Sequence, residues 1–555
     1  MSLAFIDILE ILNLLLVLFT LAWVLSRSLV LPVSVILIIL GIGVAQLAYF
    51  ESLVPLQQQE WFAQMVLFLV LPTIIFNAAL KLDVRQLQLT LIPLIILTLG
   101  SLVITVTLMG LGLRLMQVDL AFALLLGAIL TATDISGVLA LYQRFSVSKR
   151  LTLLLEGESL FNNVAAIVAT KLLFSMVLVG HFPIFTLWKE AQIFLWELAG
   201  GFVVGWFMAL VLGYFLKYYR KEAFVEISLT LVLVYGSFLL AEYTLQVSGI
   251  MATVAAGITM TTWGRQTISP PVAEYLTQFW DYLSRVSQAL IFFLAGFSVN
   301  IALLGSTFGI IALVIGILWG ARAVILYGLL PLIQRLPYQK SMPWRYRTLL
   351  YWGSLRGAIV LALVFSLGEF AQAATLLTVV TAVVVFSALV QGLTLMPLAQ
   401  RLGLSQEKLI EQLSRAEGTL TAQHRAIERI PEFQQGGLFS ARIADQQYQR
   451  CEHNIHSTQQ QLALLRRQAD VDHEQRLLFI KVFALEKVLY HQMFIKGHLS
   501  ESAYHNLVYS IELQTEAMRH EGQLPRFTLH FRGRYWLWRL VLRLLVLLPR
   551  GRRWA

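Results

Sequence analysis

Long apolar stretches run from the start of the chain to about Leu402 and limit what it can fold into. Hydrophobic residues make up 58% of the 555 residues and charged residues only 13%, about half the charged share of soluble proteins. A bilayer core about 30 Å thick needs about 20 apolar residues per helix, which predicts about thirteen spans here. They fall near Ile8–Leu25, Leu29–Tyr49, Trp61–Leu80, Leu89–Leu113, Leu120–Leu141, Leu151–Val179, Ile193–Leu216, Glu226–Leu245, Gly249–Trp263, Phe279–Val299, Leu303–Leu332, Leu349–Leu367 and Ala374–Leu398.

Positive charge alternates between successive loops. Basic loops stay on the cytoplasmic side of a membrane, so we expect a multi-pass protein of the plasma membrane, in bacteria the inner membrane, with its N-terminus outside and its tail cytoplasmic. These loops also account for the net charge of +10, which therefore does not indicate nucleic-acid binding. Their basic residues are Arg27, Lys81, Arg85, Arg144, Lys149, Arg150, Lys217, Arg220, Lys221, Arg265, Arg335, Lys340, Arg345 and Arg347.

The pattern of charge changes after Leu402. Charged residues and glutamines then recur every few positions, and apolar residues follow helical spacing. We expect a transmembrane domain over residues 1–402, a cytoplasmic helical domain over 403–530 and a basic amphipathic membrane-surface segment over 531–555. That last segment is rich in Trp, Leu and Arg and too short to span. It suits anionic lipid at Arg532–Arg553, with packing under the membrane body as the alternative.

Several classes of protein find no support in the sequence. No metal-ligand cluster, P-loop or nucleophile–base spacing occurs in the tail, so we expect neither an enzyme nor a cofactor. Cys451 is the only cysteine, which excludes an internal disulfide. The first residues include Asp7 and Glu10 and no early Lys or Arg, so we expect the first apolar run to remain as a membrane helix.

Ionisable and amide side chains at membrane depth are few and informative. A central charge costs about 2.5–3.5 kcal/mol on insertion scales, so such residues usually belong to a pathway for ions or substrates. The set comprises Asn77, Asp134, Glu156, Glu158, Asn162, Asn163, Lys171, Arg322 and Arg356.

Small and polar residues interrupt the fifth predicted span at Thr131–Gly137. An unwound backbone is tolerated at membrane depth only where it lines a cavity or is packed in protein. We therefore expect an unwound segment around Thr133 and Asp134 that lines a cavity. The alternative is that Asp134 caps a half-helix.

The sixth predicted span carries a dense polar run. Glu158 and Asn162 lie four residues apart on one helix face, and Ser159 and Asn163 form the adjacent stripe. Arg322, in the eleventh span, is a suitable counter-ion for a buried acid. A Glu158–Arg322 pair would be structural and would leave Asp134 to titrate.

The twelfth predicted span is interrupted in the same way. Trp352–Ala358 has three small residues within five positions, Gly353–Gly357, together with Arg356, which predicts a second broken helix. Two interrupted spans in separate halves of a transporter suggest inverted repeats that meet at a site near the membrane midplane.

Three segments together resemble a known family. Glu156–Asn163, Trp352–Ala358 and Phe386–Thr394 look like the signature segments of the monovalent cation/proton antiporters of the NhaP and eukaryotic sodium/proton exchanger type. The resemblance implies a thirteen-helix all-α fold with inverted repeats and two broken crossing helices, and a homodimer. It also implies alternating access by an elevator-like movement of a core subdomain, carrying Na⁺ or K⁺ against H⁺.

The resemblance also implies roles for particular residues. Thr133 and Asp134 match the unwound-helix ion site, and Ser159 matches a further ligand position. Glu158 and Arg322 match the family's core salt bridge. Arg356 matches the arginine of the second broken helix.

Two departures from the family pattern bear on proton coupling. Members usually carry Asn-Asp where this chain has Asn162-Asn163, and commonly a glutamate where Asn77 stands. The proline that often follows the site aspartate is replaced by Ile135. An amide oxygen can ligate Na⁺ or K⁺, but an amide cannot carry the proton that antiport requires.

Two hypotheses follow. The first is a monovalent cation/proton antiporter with Asp134 as its titrating acid and Asn77, Asn162, Asn163 and Ser159 as neutral ligands. The second is a transporter-derived membrane protein without proton coupling: a leak, a uniporter or a sensor.

Overall fold

The computed structural model describes residues 5–29, 31–46, 60–82, 84–135, 139, 149–179, 187–218, 222–261, 270–335, 342–368, 370–404, 409–435, 440–469 and 471–520. Two compact units divide the chain, Met1–Ser405 and Gln406–Ala555. The predicted membrane-surface segment at 531–555 lies outside the described residues.

Helices make up the first unit. In chain order they are α1 Phe5–Leu29, α2 Val33–Ala45, α3 Glu60–Met65, α4 Leu71–Lys81, α5 Val84–Arg114, α6 Leu120–Thr131, α7 Lys149–Val179, α8 Leu187–Tyr218, α9 Ala223–Leu239, α10 Gly249–Thr259, α11 Pro270–Ser298, α12 Ile301–Ala323, α13 Leu330–Ile333, α14 Trp344–Trp352, α15 Ala358–Ser366, α16 Ala373–Phe386 and α17 Leu393–Arg401.

Short π-helical turns join several of these helices into longer rods. They occupy Val66–Val70, Leu240–Thr244, Val324–Leu329 and Ser387–Gly392. With these turns included, seven described helices are long and apolar enough to cross a membrane, and four shorter apolar helices accompany them. The described residues thus give a polytopic membrane body, while the count of thirteen spans stays a prediction.

Glycines let neighbouring membrane helices approach closely. A Cβ atom on Gly41 of α2 would lie 2.2 Å from the carbonyl oxygen of Phe293 on α11. On the opposite side of the same contact, a Cβ on Gly296 would lie 2.0 Å from the carbonyl oxygen of Ile38. Because lipid is as apolar as these side chains, such close backbone packing is a main source of helix association in a membrane.

The tail unit contains four described helices, α18 Leu409–Gln435, α19 Ala441–Arg467, α20 Val471–Ile495 and α21 Glu501–His520. Apolar side chains at helical spacing form its small core, which includes Leu413, Leu462 and Ile511. The buried carboxylate of Glu417 binds Arg466 and Lys481 on two neighbouring helices.

Candidate functional site

Two interrupted helices cross each other inside the membrane body. Helix α6 ends at Thr131 and continues as extended chain, while α14 ends at Trp352 and α15 begins only at Ala358. The two extended segments meet where the backbone N–H of Asp134 donates to the carbonyl of Leu355 at 2.9 Å. Each segment therefore satisfies part of the other's main chain, which backbone in a membrane requires.

Side chains of α7 complete the hydrogen bonding of Thr133. Asn163 accepts from the backbone N–H of Thr133 at 3.0 Å, and Ser159 donates to the backbone carbonyl of Thr133 at 2.7 Å. Ser159 and Asn163 lie one helical turn apart on a common face. Together they replace the two backbone hydrogen bonds that Thr133 would make in a continuous helix.

Gly357 allows the crossing to close. A Cβ atom at this position would lie 2.3 Å from Oδ2 of Asp134 and 2.6 Å from its Cβ. The second interrupted segment can therefore pass over Asp134 only where it has no side chain.

The structure brings Glu158 and Arg322 together. The guanidinium donates to both carboxylate oxygens, with Nη2 and Oε2 3.3 Å apart, and both residues are buried. A bidentate pair of this kind holds two buried charges only with both partners present.

Arg356 lies on the extended segment between α14 and α15, near that pair. Its backbone N–H donates to Ser387 at 3.2 Å, and its guanidinium donates to the carbonyl of Ser354 at 3.3 Å. A small cavity of about 20 Å³ has Arg322, Arg356, Ser354 and Ser387 among its lining residues. That space is enough for about one water molecule.

Asn162 carries a buried amide for which the described residues provide no hydrogen bond. It is fully buried, and neither Oδ1 nor Nδ2 has a partner within the part of the chain that the structure describes. Its neighbour Asn163 holds Thr133 at the crossing. Since buried polar groups are nearly always satisfied, this amide is a candidate ligand for an ion or water.

Asn77 makes a contact that the sequence did not predict. Its Nδ2 donates to Oδ1 of Asp281 on α11 at 3.0 Å. Lys81, one turn further along α4, binds the same oxygen at 2.5 Å. The amide predicted as a cation ligand thus donates here to a carboxylate that sequence reasoning overlooked.

A second overlooked pair joins α7 to the helices that follow α8. Lys171 on α7 binds Glu242 in the π-helical turn after α9. The other carboxylate oxygen of Glu242 accepts from the backbone N–H of Gly249, the first residue of α10. Lys171 was among the predicted polar residues, whereas Glu242 lay too near the end of its predicted span to be singled out.

Interrupted helices that cross in a polytopic helical body, beside a buried ion pair, define the class of secondary transporters with discontinuous helices. The family profile for the transmembrane sodium/hydrogen exchanger matches residues 14–401. The chain therefore belongs to the sodium/hydrogen exchanger family.

Relatives support the same assignment. The Na⁺/H⁺ antiporter ApNhaP of Aphanothece halophytica is 32% identical over 406 residues, which are 72% of this chain and 74% of that protein. The Na⁺/H⁺ antiporter NhaG of Bacillus atrophaeus is 31% identical over 412 residues, 73% of this chain and 76% of that protein.

A solved structure confirms the predicted antiporter fold. The sodium proton antiporter MjNhaP1 of Methanocaldococcus jannaschii superposes with a TM-score of 0.58, covering 72% of this chain and 99% of that one. Its identity of 19% means that this likeness speaks for the fold alone.

Proposed function

We propose that this protein exchanges a monovalent cation, Na⁺ or K⁺, for protons across a membrane. The observation that carries the proposal is the crossing, where Ser159 and Asn163 hold the unwound Thr133. The preceding residue, Asn162, adds a buried amide that has no hydrogen-bond partner among the described residues. The names of its relatives, which are Na⁺/H⁺ antiporters, support the same activity.

The chemistry follows from the groups available. The carbonyl of Thr133, the hydroxyl of Ser159 and the amide oxygen of Asn162 are neutral oxygens of the kind that bind dehydrated alkali cations. Asn163 cannot take up a proton, and Glu158 is held by Arg322. Asp134, on the first interrupted segment where Gly357 of the second passes over it, is the acid that we assign to proton exchange.

Transport requires the site to face each side of the membrane in turn. We assign this step to an elevator-like movement of the helices that carry the crossing, and we assign the protein to a homodimer in the bacterial plasma membrane. In this arrangement the N-terminus is outside, the tail cytoplasmic, and the segment at Arg532–Arg553 contacts anionic lipid.

Proton coupling can be tested with purified protein in liposomes that contain a pH-sensitive dye. An imposed Na⁺ or K⁺ gradient should drive proton movement in the wild type, and Asp134→Asn should abolish it. Asn163→Asp is the matched variant, because an aspartate can still accept the hydrogen bond from Thr133 and adds a second carboxylate.

The outcomes separate the two hypotheses. Proton movement that is lost in Asp134→Asn supports antiport by one acid. A silent wild type with activity in Asn163→Asp would overturn the proposal and favour a protein without proton coupling, whose function would then lie in another property such as a signal carried by the tail.

A further inference from the structure

Lys81 at the end of α4 binds a carboxylate of α11. Its ammonium lies 2.5 Å from Oδ1 of Asp281, and the same oxygen accepts the amide of Asn77 at 3.0 Å. Asn77 and Lys81 lie four residues apart on α4 and therefore share a face. One carboxylate oxygen of α11 thus binds two neighbouring side chains of α4.

A second acid, on α7, lies in the neighbourhood of this ammonium. Glu156 is partly buried and lies close enough to Lys81 for their charges to interact. Arg285 lies one turn beyond Asp281 on α11, and its positive charge interacts with the carboxylate of Asp281. This group thus contains two acids and two bases.

Glu156 connects this group to the crossing. Glu156, Ser159 and Asn163 have the spacing of residues on one helix face. Seven residues at 1.5 Å each separate Glu156 from Asn163, which is about 10 Å along that face. A cation at Glu156 would therefore be two helical turns from the side chains that hold Thr133.

Protein does not fully enclose these side chains, since Lys81, the last residue of its apolar helix, is 48% exposed and Asp281 27% exposed. An amide can rotate to present its oxygen in place of its nitrogen, so Asn77 could become a cation ligand beside the carboxylate. The lysine ammonium then occupies the position that a free monovalent cation would take.

We infer that Asp281, Asn77 and Glu156 form a second binding site for a monovalent cation, and that Lys81 is a tethered cation which Na⁺ or K⁺ must displace. The inference deepens the proposed transport function, on which the role of the site in transport rests. The existence of the site can be tested by binding alone.

The primary experiment measures equilibrium binding of radiolabelled Na⁺ to the purified full-length protein, with choline keeping the ionic strength constant. Removing a tethered competitor raises the fraction of binding-competent sites, so Lys81→Met should bind Na⁺ about tenfold more tightly than wild type. Adding Asp281→Asn to Lys81→Met should remove the gain. Lys171→Met is the control, because it removes another paired membrane lysine and should leave the affinity unchanged.

No gain in Lys81→Met, or a gain that survives Asp281→Asn, would mean that Lys81 and Asp281 form only a structural ion pair. A second measurement needs no variant: labelling of the Lys81 amine by an acylating reagent, followed by mass spectrometry. Na⁺ should increase labelling of Lys81 relative to choline, and equal labelling in both salts would overturn the inference.

The two proposals can fail separately. Binding gained in Lys81→Met through Asp281, in a protein that moves no protons in liposomes, would retain the site and reject antiport. Antiport without any gain in binding would retain the proposed function and reject the second site.

Discussion

The membrane body and the tail both contain ion pairs, and one pair from each shows how much the surroundings can differ. In the body, the side chains of Glu158 and Arg322 are only 4% and 8% exposed. In the tail, Lys487 and Glu512 lie 2.9 Å apart and remain 47% and 40% exposed. Solvent screens the second pair, whereas protein surrounds most of the first.

The difference in exposure determines how much each ion pair contributes to the stability of the protein. Exposed pairs contribute at most about 1 kcal/mol. Removing one partner of a buried pair leaves an uncompensated charge and costs about 3–5 kcal/mol. Similar contacts between side chains therefore have very different consequences according to how deeply they are buried.

Arg322→Met should have the largest effect. It leaves the buried carboxylate of Glu158 without its bidentate partner, which we expect to destabilise the membrane body by about 3–5 kcal/mol. Thermal denaturation of the detergent-solubilised protein, followed by size-exclusion chromatography, would show a large fall in apparent Tm or loss of the folded peak. Adding Glu158→Gln should recover part of the loss, and no recovery would argue against charge as the cause.

Gly357→Ala tests the close approach at the crossing. The new Cβ would lie 2.3 Å from Oδ2 of Asp134, so the two interrupted segments must separate. We expect a cost of about 3 kcal/mol, at the upper end for overpacking, together with loss of transport in the liposome assay. Gly316→Ala on α12 is the control, because its Cβ would meet nothing within 4 Å. Equal stability of the two variants would show that the two interrupted segments can separate at little cost in free energy.

Ser159→Ala removes one of the two hydrogen bonds that hold Thr133. The buried carbonyl of Thr133 loses its 2.7 Å donor, which should cost about 1–3 kcal/mol. Apparent Tm and Na⁺ affinity should fall together, because Ser159 is also a proposed cation ligand. In Ser175→Ala an exposed hydroxyl loses a similar contact to Leu172, and little change is expected. A lower Tm with unchanged affinity would limit Ser159 to a structural role.

The interrupted helices could be predicted from sequence because their side chains differ from those of the apolar helices around them. Small and polar residues at Thr131–Gly137 and Trp352–Ala358 break the apolar pattern, and the acid at Glu158 requires a base such as Arg322. The contact that joins the two segments could not be predicted. Its acceptor is the main-chain carbonyl of Leu355. Every residue type has such a carbonyl, so the contact does not depend on which side chain the sequence carries there.

Asp281 and Glu242 were missed for a different reason. Both lie close to an end of a predicted span, where hydropathy treats a charge as an ordinary boundary residue. Their importance depends on Asn77, Lys81 and Lys171 on other helices. Which helices become neighbours is set by packing, and a single sequence does not specify that packing.

Lys487→Met should have the smallest effect and completes the comparison. The pair with Glu512 joins α20 to α21 at the surface of the tail, and its removal should change the stability of the tail by less than about 1 kcal/mol. The matched change within the same unit is Glu417→Gln. It replaces a buried carboxylate by a neutral amide and so removes the ion pairs with Arg466 and Lys481. Urea denaturation of the full-length protein, followed by hydrogen exchange in the tail, distinguishes the two. If Lys487→Met were as damaging as Glu417→Gln, burial would not be what decides the strength of ion pairs in this protein.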